Sequence, residues 1–351
     1  MQAITHIDNS RLAVPLGLLY ISPADTAKYM EDLKGHVMGV AAYGKPASAF
    51  STVDNAQSTW ESAAWIDMPV LGGDGLFEIW SSQEPVVSCD GGDIAGFSNN
   101  EILYGHIELS QMGGESLEAT TYRAYIKLFD YMDREGYPNL LRIWNYFPRI
   151  NEVENGLERY RSFNVGRHDA FIAKGRVIGE GSVPAASVLG TQSGPLIIYF
   201  MAGKQGGYPV ENPRQTSPYN YPQLFGPRSP AFSRAMLLEL GQVKYFFISG
   251  TASIVGYETL HSGNVEMQAE ETLENIRTLL QRAKESGHDL SPAGRLHLKI
   301  YLRHAEDFQL VKDRVEAEFG TQHQAVYLRA DICRADLLLE IEGVHYNDKQ
   351  S

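Results

Sequence analysis

The feature that most constrains the fold of this chain is a pattern that occurs twice. Leu141-Arg-Ile-Trp-Asn-Tyr-Phe147 and Leu296-His-Leu-Lys-Ile-Tyr-Leu302 both alternate as strands, and each is followed after a short turn by an acidic helical stretch. Each is also preceded by a helix. Ser116 to Arg134 carries Tyr122, Tyr125, Ile126, Phe129 and Met132 on one stripe and stops at Gly136, with Pro138 beyond. Val265 to Ser286 carries Met267, Leu273, Ile276, Leu279 and Leu280 and stops at Gly287. Further strands are expected at Phe77 to Trp80 and Ile102 to Leu109, read as a pair, at Gly194 to Ala202, at Met236 to Leu240 and at Lys244 to Ser253; second helices are expected from Asn155 to Ala173 and from Ala305 to Phe319. A helix with one apolar stripe covers one face of a sheet and leaves the other bare. The chain is therefore expected to be α+β, two α/β sandwich halves related by internal duplication, whose sheets meet through their helix-free faces. The halves are placed at 1–205 and 235–351. Residues 1 to about 75 mix short apolar runs (Leu12 to Ile21, Val37 to Tyr43, Trp65 to Leu71) with Gly, Pro and Ser, which suggests short strands or edge elements without fixing their places.

Between the halves, residues 206–234 hold no periodicity but are rich in Gly, Pro, Asn and Tyr, with Tyr219, Tyr221, Arg214 and Arg228 among them. A connection of that length is either a linker or a functional loop, and its aromatics and arginines favour an ordered loop that packs on something.

Near the C-terminus, Tyr327 to Tyr346 reads as two short strands joined by a tight connection. On the second, Leu337, Leu339 and Ile341 share one face, while Asp336, Leu338, Glu340 and Glu342 share the other. Burial disfavours the charged form of a carboxyl group, so Glu340, flanked by leucine and isoleucine on a strand that faces the inter-sheet cleft, is a candidate acid that stays protonated near neutrality. Spacing alone also allows Glu340 and Glu342 to be solvated residues of an outer strand.

Several function classes are excluded. A formal charge of -13 leaves no basic face for nucleic acid or an anionic membrane, and an anionic small molecule would need a local arginine pocket. Two distant cysteines, Cys89 and Cys333, make neither a disulfide framework nor a zinc site, which points to a reducing compartment. The N-terminal residues lack a basic, apolar leader and no run is long enough to span a bilayer, so a cytoplasmic protein is expected. Gly203-Lys204 lacks the rest of a phosphate loop, no glycine fingerprint follows a strand, and ten histidines show no metal spacing; no cofactor or metal is expected.

Over Ala235 to Tyr346 the chain resembles the RidA/YjgF (chorismate-mutase-like) fold, on Ile248-Ser-Gly-Thr-Ala-Ser253, the helix with Glu271-Thr-Leu-Glu-Asn-Ile276, the strand Leu296 to Leu302, Asp307-Phe308 with Val311, and Glu340-Ile-Glu-Gly-Val344. That family deaminates imines with an arginine that falls here on Ala325, so the resemblance implies the fold rather than that chemistry. The whole chain is more similar to the chorismatases, built from two RidA-like halves. The matching stretches are Asn145-Tyr-Phe-Pro-Arg-Ile-Asn151, Glu158-Arg-Tyr-Arg-Ser-Phe-Asn164, Asn212-Pro-Arg-Gln-Thr-Ser-Pro-Tyr219, Phe225-Gly-Pro-Arg-Ser-Pro230 and Ile248-Ser-Gly-Thr-Ala-Ser-Ile254.

This resemblance implies an enzyme that removes the enolpyruvyl group of chorismate as pyruvate, with Glu340 protonating the methylene carbon. In the family a cysteine ahead of the glutamate marks the branch that forms 3-hydroxybenzoate, alone or beside 4-hydroxybenzoate, and alanine there marks the branch that adds water; that position falls on Cys333, and its accompanying glycine on Gly250. Arg161 and Arg228 are the expected forks for the substrate's two carboxylates, with Tyr219 and Tyr221 as hydroxyl donors and walls and Arg214 as a further binding residue. Bland readings stand beside these: Cys333 as a small buried hydrophobe, Arg161 as a surface partner of Glu158, Arg228 as a loop residue binding backbone carbonyls. The alternatives to hydroxybenzoate formation are the water-adding reaction, elimination to 4-hydroxybenzoate alone, and a RidA-like binding protein without turnover. A duplicated chain supplies internally what separate subunits supply by association, so a monomer is expected.

Overall fold

The computed structural model describes residues 14–26, 29, 32–44, 63–287 and 294–347. The N-terminal leader reading, and Leu12, lie outside the described residues. In chain order the first elements are β1 (Leu16–Ile21), β2 (Val37–Tyr43), β3 (Ala64–Ile66), β4 (Val70–Gly73), β5 (Phe77–Ser82), β6 (Val87–Asp90), β7 (Ile94–Ser98) and β8 (Ile102–Leu109). Then come α1 (Leu117–Glu135), β9 (Asn139–Pro148), a small hairpin of β10 (Val153–Glu154) and β11 (Leu157–Glu158), α2 (Arg159–Ala173), β12 (Ala185–Thr191) and β13 (Leu196–Gly203). The remainder holds β14 (Tyr208–Val210), β15 (Ala235–Leu240), β16 (Val243–Thr251), a second small hairpin of β17 (Ile254–Val255) and β18 (Glu258–Thr259), α3 (Val265–Glu285), β19 (Arg295–Leu302), α4 (Phe308–Phe319), β20 (Gln324–Arg329) and β21 (Leu339–Tyr346).

Local chemistry sets the helix limits. Ser116 caps α1 by accepting from the Ala119 N–H, which contributes about 1 kcal/mol, and Gly136 ends it with φ 81°, open to glycine without a Cβ penalty. Asn264 caps α3 in the same way through Met267 N–H. The second helix starts at Arg159 rather than at Asn155, because Asn155 and Gly156 turn the β10–β11 hairpin with φ of 53° and 81°.

Among the described residues, beside the two small hairpins, there are three larger sheets, ordered β6-β7-β8-β13-β9-β12, β14-β15-β16-β21-β19-β20-β4 and β1-β5-β2-β3. In the first two, the central strand (β13 or β21) is antiparallel to both neighbours, and one neighbour has a parallel partner on its far side, β12 beside β9 and β20 beside β19. The expected duplication is thus present as two like α+β halves. The third sheet repeats the same arrangement, β5 antiparallel to β1 and β2, with β3 parallel to β2. Strands β1, β2, β3 and β5 of the expected first unit therefore form a reduced third copy, while β4 crosses over to pair with β20. The repeat was hidden because β1, β2 and β5 are buried along their whole length, and a strand covered on both faces does not alternate.

Two strand pairings differ from expectation. Phe77 to Trp80 and Ile102 to Leu109 lie in different sheets, β5 pairing with β1 and β2, and β8 with β7 and β13. The strands at the two ends of Tyr327 to Tyr346 are not neighbours: β19 lies between β20 and β21, and residues 330–338 form the connection over its end. The parallel pairing of β20 with β19 is made by the crossover through α4, whereas residues 330–338 join β20 to the antiparallel β21 on the far side of β19.

Helices α1 and α2 cover the outer face of the six-stranded sheet, burying Tyr125, Leu128, Phe129, Phe163 and Phe171. Helices α3 and α4 cover the seven-stranded sheet with Leu273, Ile276, Leu279, Val311 and Val315. The helix-free faces of all three sheets meet in one interior, which mixes apolar side chains such as Leu18, Met201 and Phe247 with Trp80, Trp144, Tyr43, Tyr146, Tyr199 and Tyr301.

Candidate active site

On β21 the period of two places Leu339 and Ile341 under the helices and turns Glu340 and Glu342 toward the other sheets. Both glutamates are buried, at 4% and 1% exposure, so neither is a solvated residue of an outer strand. Their partners differ. Glu342 accepts from Lys299 Nζ (2.7 Å), Arg142 Nη2 (2.8 Å) and Trp144 Nε1 (2.8 Å). Burial pushes its carboxyl up, but Lys299 and Arg142 outweigh that and hold it below the usual carboxylate range. Glu340 faces a cavity of about 490 Å³ at the seam between the two large sheets. Burial, and then the neighbouring Glu342 charge, push its carboxyl up to about 8 against the pull of Arg142 and Arg234.

The backbone on the far side of Glu340 is Gly250, at an irregularity in the pairing of β16 with β21. A Cβ there would fall 2.7 Å from Glu340 Cδ and closer still to Oε1, so only glycine allows the carboxyl this position. Gly250 N–H donates to Ser187 Oγ on β12 (3.1 Å), and Ser187 also accepts from Arg142 (2.7 Å), which ties the six-stranded sheet to this spot.

Cys333 lines the same cavity. Its segment is pinned from both sides: Gly190 N–H on β12 donates to Asp331 O (2.7 Å), and Arg303 donates to the carbonyls of Ile332, Arg334 and Leu337. Burial, and then the Glu340 charge, push the Cys333 thiol up to about 12. At neutral pH it is a protonated, weakly polar wall, not a thiolate.

Of the remaining expected site residues, Arg161 and Tyr221 line the cavity. Arg161 pairs with Glu158 (3.2 Å) with its side chain 39% exposed, so the helix pair foreseen for it exists at the cavity mouth. Three others are placed elsewhere. Arg214 is bound to Asn275 Oδ1 and Glu271 and ties the connecting loop to α3. Arg228 pairs with Asp169 (3.3 Å), half exposed and away from the cavity wall. Tyr219 packs against the core of the six-stranded sheet. Two arginines that sequence reasoning passed over line the cavity instead. Arg234 is 3% exposed, lines the cavity, and donates through Nη2 to Thr216 O and Tyr221 OH (both 2.8 Å). Its Nε is buried without a partner. Arg334, next to Cys333, lies over the rings of Phe225 (4.5 Å) and Tyr221 (5.6 Å) at the cavity wall.

The arrangement combines one buried protonated carboxyl with three guanidinium groups and an apolar, aromatic wall, with the acidic side chains of Glu158, Glu258 and Asp336 also on the lining. It suits an anionic, partly unsaturated small molecule. Among the described residues no cluster of His, Cys, Asp and Glu could hold a metal, and no helix is long and apolar enough to cross a membrane.

Comparison with known proteins agrees with this geometry. The family model described as Chorismatase FkbO/Hyg5-like, N-terminal matches residues 78–202. A chorismatase of Streptomyces rapamycinicus is 37% identical over 275 residues, covering 76% of this chain and 81% of the relative. A 3-hydroxybenzoate synthase of Streptomyces hygroscopicus is 37% identical over 244 residues, 66% of this chain and 70% of the relative. A crystal structure of a chorismatase at 1.08 Å resolution matches with a TM-score of 0.79 at 30% identity, covering 94% of this chain and 98% of the other. With like halves of the α+β type, a seam that carries a buried acid, and relatives that match across both halves, the chain belongs to the chorismatase family.

Proposed function

We propose that this protein cleaves chorismate to pyruvate and 3-hydroxybenzoate, alone or beside 4-hydroxybenzoate. The observation that carries the reading is Glu340, a carboxyl group raised to about 8 whose face is turned into the cavity while its neighbour Glu342 holds the charge. An enol ether is broken by protonating its terminal carbon, so the site needs an acid that still holds its proton near neutrality. Glu340 gives that proton to the methylene carbon, and the enolpyruvyl group becomes an oxocarbenium ion. The ring hydroxyl then attacks the ring carbon that bears the ether oxygen. The C–O bond breaks, its electron pair returns to the oxygen, and pyruvate leaves. The hydroxyl proton passes to the Glu340 carboxylate, which restores the acid. The arene oxide opens by breaking one of its two C–O bonds, the carbon that keeps the oxygen loses its proton and the oxygen takes one up, which gives the hydroxybenzoate, and no water is consumed.

Arg234, buried and with an unpartnered Nε, and Arg161 and Arg334 at the wall supply cations for the two substrate carboxylates. Cys333, held as a neutral thiol, fills the place from which a water molecule would approach the ring, and this favours internal displacement over hydration. The relative named 3-hydroxybenzoate synthase supports the same branch.

The test is to incubate the purified protein with chorismate, without metal or nucleotide, and to identify products by chromatography against standards. Pyruvate with 3-hydroxybenzoate is the expected result. Pyruvate with a dihydroxycyclohexadiene carboxylate would refute the branch, and no turnover would refute the reaction.

A further inference from the structure

Behind Glu340 lies a buried set of charges that the reaction as written does not use. Its layout follows from the threefold repetition of the sheets. On β21, Glu340 stands opposite Tyr301 of β19, and Glu342 opposite Lys299. On β13, the same two places are Ile197, opposite Tyr146, and Tyr199, opposite Trp144. On β5, Glu78 stands opposite Ala41, and two residues earlier Leu76 accepts from Tyr43 N–H. Glu342, Tyr199 and Glu78 thus hold one position in three repeats, and Glu340, Ile197 and Leu76 another.

The first three converge on a single ammonium. Lys299 Nζ lies 2.7 Å from Glu342 Oε1, 2.7 Å from Tyr199 OH and 2.8 Å from Glu78 Oε2. Tyr43 OH is 3.1 Å from the same Nζ, and Tyr43, Tyr199, Tyr146 and Tyr301 link hydroxyl to hydroxyl at 3.1, 3.3 and 3.0 Å. At the other position only β21 carries an acid, so three repeats make one site.

The groups that face Glu340 are few. From its own strand there is Glu342, from β9 Arg142, from β19 Tyr301, from β12 Ser187, from the 330–338 connection Cys333, and from the end of the long loop Arg234. Of the cations in this interior, Lys299 and Arg142 both bond to Glu342, and Trp144 adds a third donor to it. Two buried carboxyl groups two residues apart on one strand face cannot both ionise cheaply. The donors decide which one does.

We propose that Glu342 is a positioning residue of the reaction: held as a carboxylate by Lys299 where the three sheets converge, it keeps the proton of the pair on Glu340, at the cavity. Glu78 and Tyr199 serve the same end by fixing the ammonium. This inference rests on the chorismate-cleaving reading of the site.

The test is the pH profile of kcat/KM for wild type, Glu342→Gln and Glu342→Asp. Glu342→Gln removes the anion that presses on Glu340, so its alkaline limb moves to lower pH by about one unit or more, while Glu342→Asp, which keeps the charge, returns it toward the wild-type position. A limb that stays in place in a folded Glu342→Gln protein overturns the proposal. Should that variant not fold, carboxyl NMR titration of ¹³C-glutamate-labelled wild type and Glu340→Gln decides. The glutamate that titrates near 8 is expected to vanish in Glu340→Gln, and its survival there would put the proton on Glu342 and overturn the proposal. The NMR titration needs no substrate, so a wild-type protein that fails to cleave chorismate would refute the reaction and leave this assignment to be judged on its own.

Discussion

A carboxyl group that stays protonated to about pH 8 inside the folded protein must leave a trace in stability, and Glu340→Gln isolates it. The folded-state value is raised from 4.5, so the native state holds the proton more tightly than the unfolded chain does. The stabilisation linked to that proton is full at low pH and is lost as pH rises through the folded value. A gap of about 3.5 units corresponds to about 5 kcal/mol in all, of which roughly 4 kcal/mol disappears between about pH 5 and about pH 8.5. Glutamine keeps the shape and cannot titrate. Urea unfolding of both proteins at the two pH values gives a double difference in which every other ionisable group cancels. Wild type is expected to lose roughly 4 kcal/mol more than Glu340→Gln across that interval, and the variant is expected to be the more stable protein at the alkaline end. The same variant should lose pyruvate release by about 100-fold or more, the usual contribution of a positioned acid. If the two proteins lose stability in parallel, to within about 1 kcal/mol, Glu340 is ionised at neutrality and the acid assignment fails.

Cys333→Ala opens space beside the ring and removes a thiol that burial keeps neutral, so the product mixture should gain the hydrated diene; an unchanged chromatographic profile would take Cys333 out of the product choice. Gly250→Ala puts a methyl group where the Glu340 carboxyl lies, and should lower kcat by about tenfold or more with little change in melting temperature, since the carboxyl can swing into the cavity. A kcat equal to wild type would refute that close approach. Arg234→Met should weaken binding of chorismate by roughly 10- to 100-fold, the range for a lost bond between charged groups, measured by calorimetry in the Glu340→Gln background. Arg214→Ala should leave kinetic constants within about twofold and cost about 1–3 kcal/mol of stability, because it removes the bonds that tie the long loop to α3; a large effect on KM would return Arg214 to the site.

The two large repeats arrange their charges unequally. The position that carries Lys299 in one half carries Trp144 in the other, and Glu342 is matched by Tyr199. A Lys–Glu pair repeated in every sheet would bury more charges, each at a desolvation cost, whereas two glutamates and one lysine, with Arg142 at the edge, leave a smaller, neutral set. Aromatic residues fill the other places and share the ammonium through their ring faces: Lys299 lies 4.9 Å over Trp144 and 5.3 Å over Tyr199. That neutral set is what lets an interior with four charged side chains sit beneath the cavity at the seam.

The sequence by itself determined the α+β halves, where their helices stop and the facing direction of Glu340, because these depend on periods and stop signals that act within a dozen residues. The glycines after α1 and α4 and the alternation around Glu340 appear in the structure where local chemistry put them; of the α1 stripe, Tyr125, Phe129 and Met132 are buried, whereas Tyr122 is exposed. Gly250 and Cys333 came from resemblance, and the structure brings both to the cavity. What the tertiary structure alone decided were the partners. Arg214, Arg228 and Tyr219 read like binding residues in an aromatic loop, but their charges and rings are satisfied by Glu271, Asp169 and the nearby core, from elements far along the chain. Arg234 gave no local signal, since its place at the cavity follows from the path of the loop into β15. Lys299 did give one, a charge on the core-facing side of an apolar strand, yet its meaning required Glu78, 221 positions away. The strands of the third sheet fall in runs already read as strands, but their standing as a third repeat was not legible for the converse reason: strands buried on both faces carry no alternation, and only their pairing reveals the repeat. Periodicity is a property of neighbours in sequence, whereas compensation of a buried charge is a property of neighbours in space, and this site is built from the second.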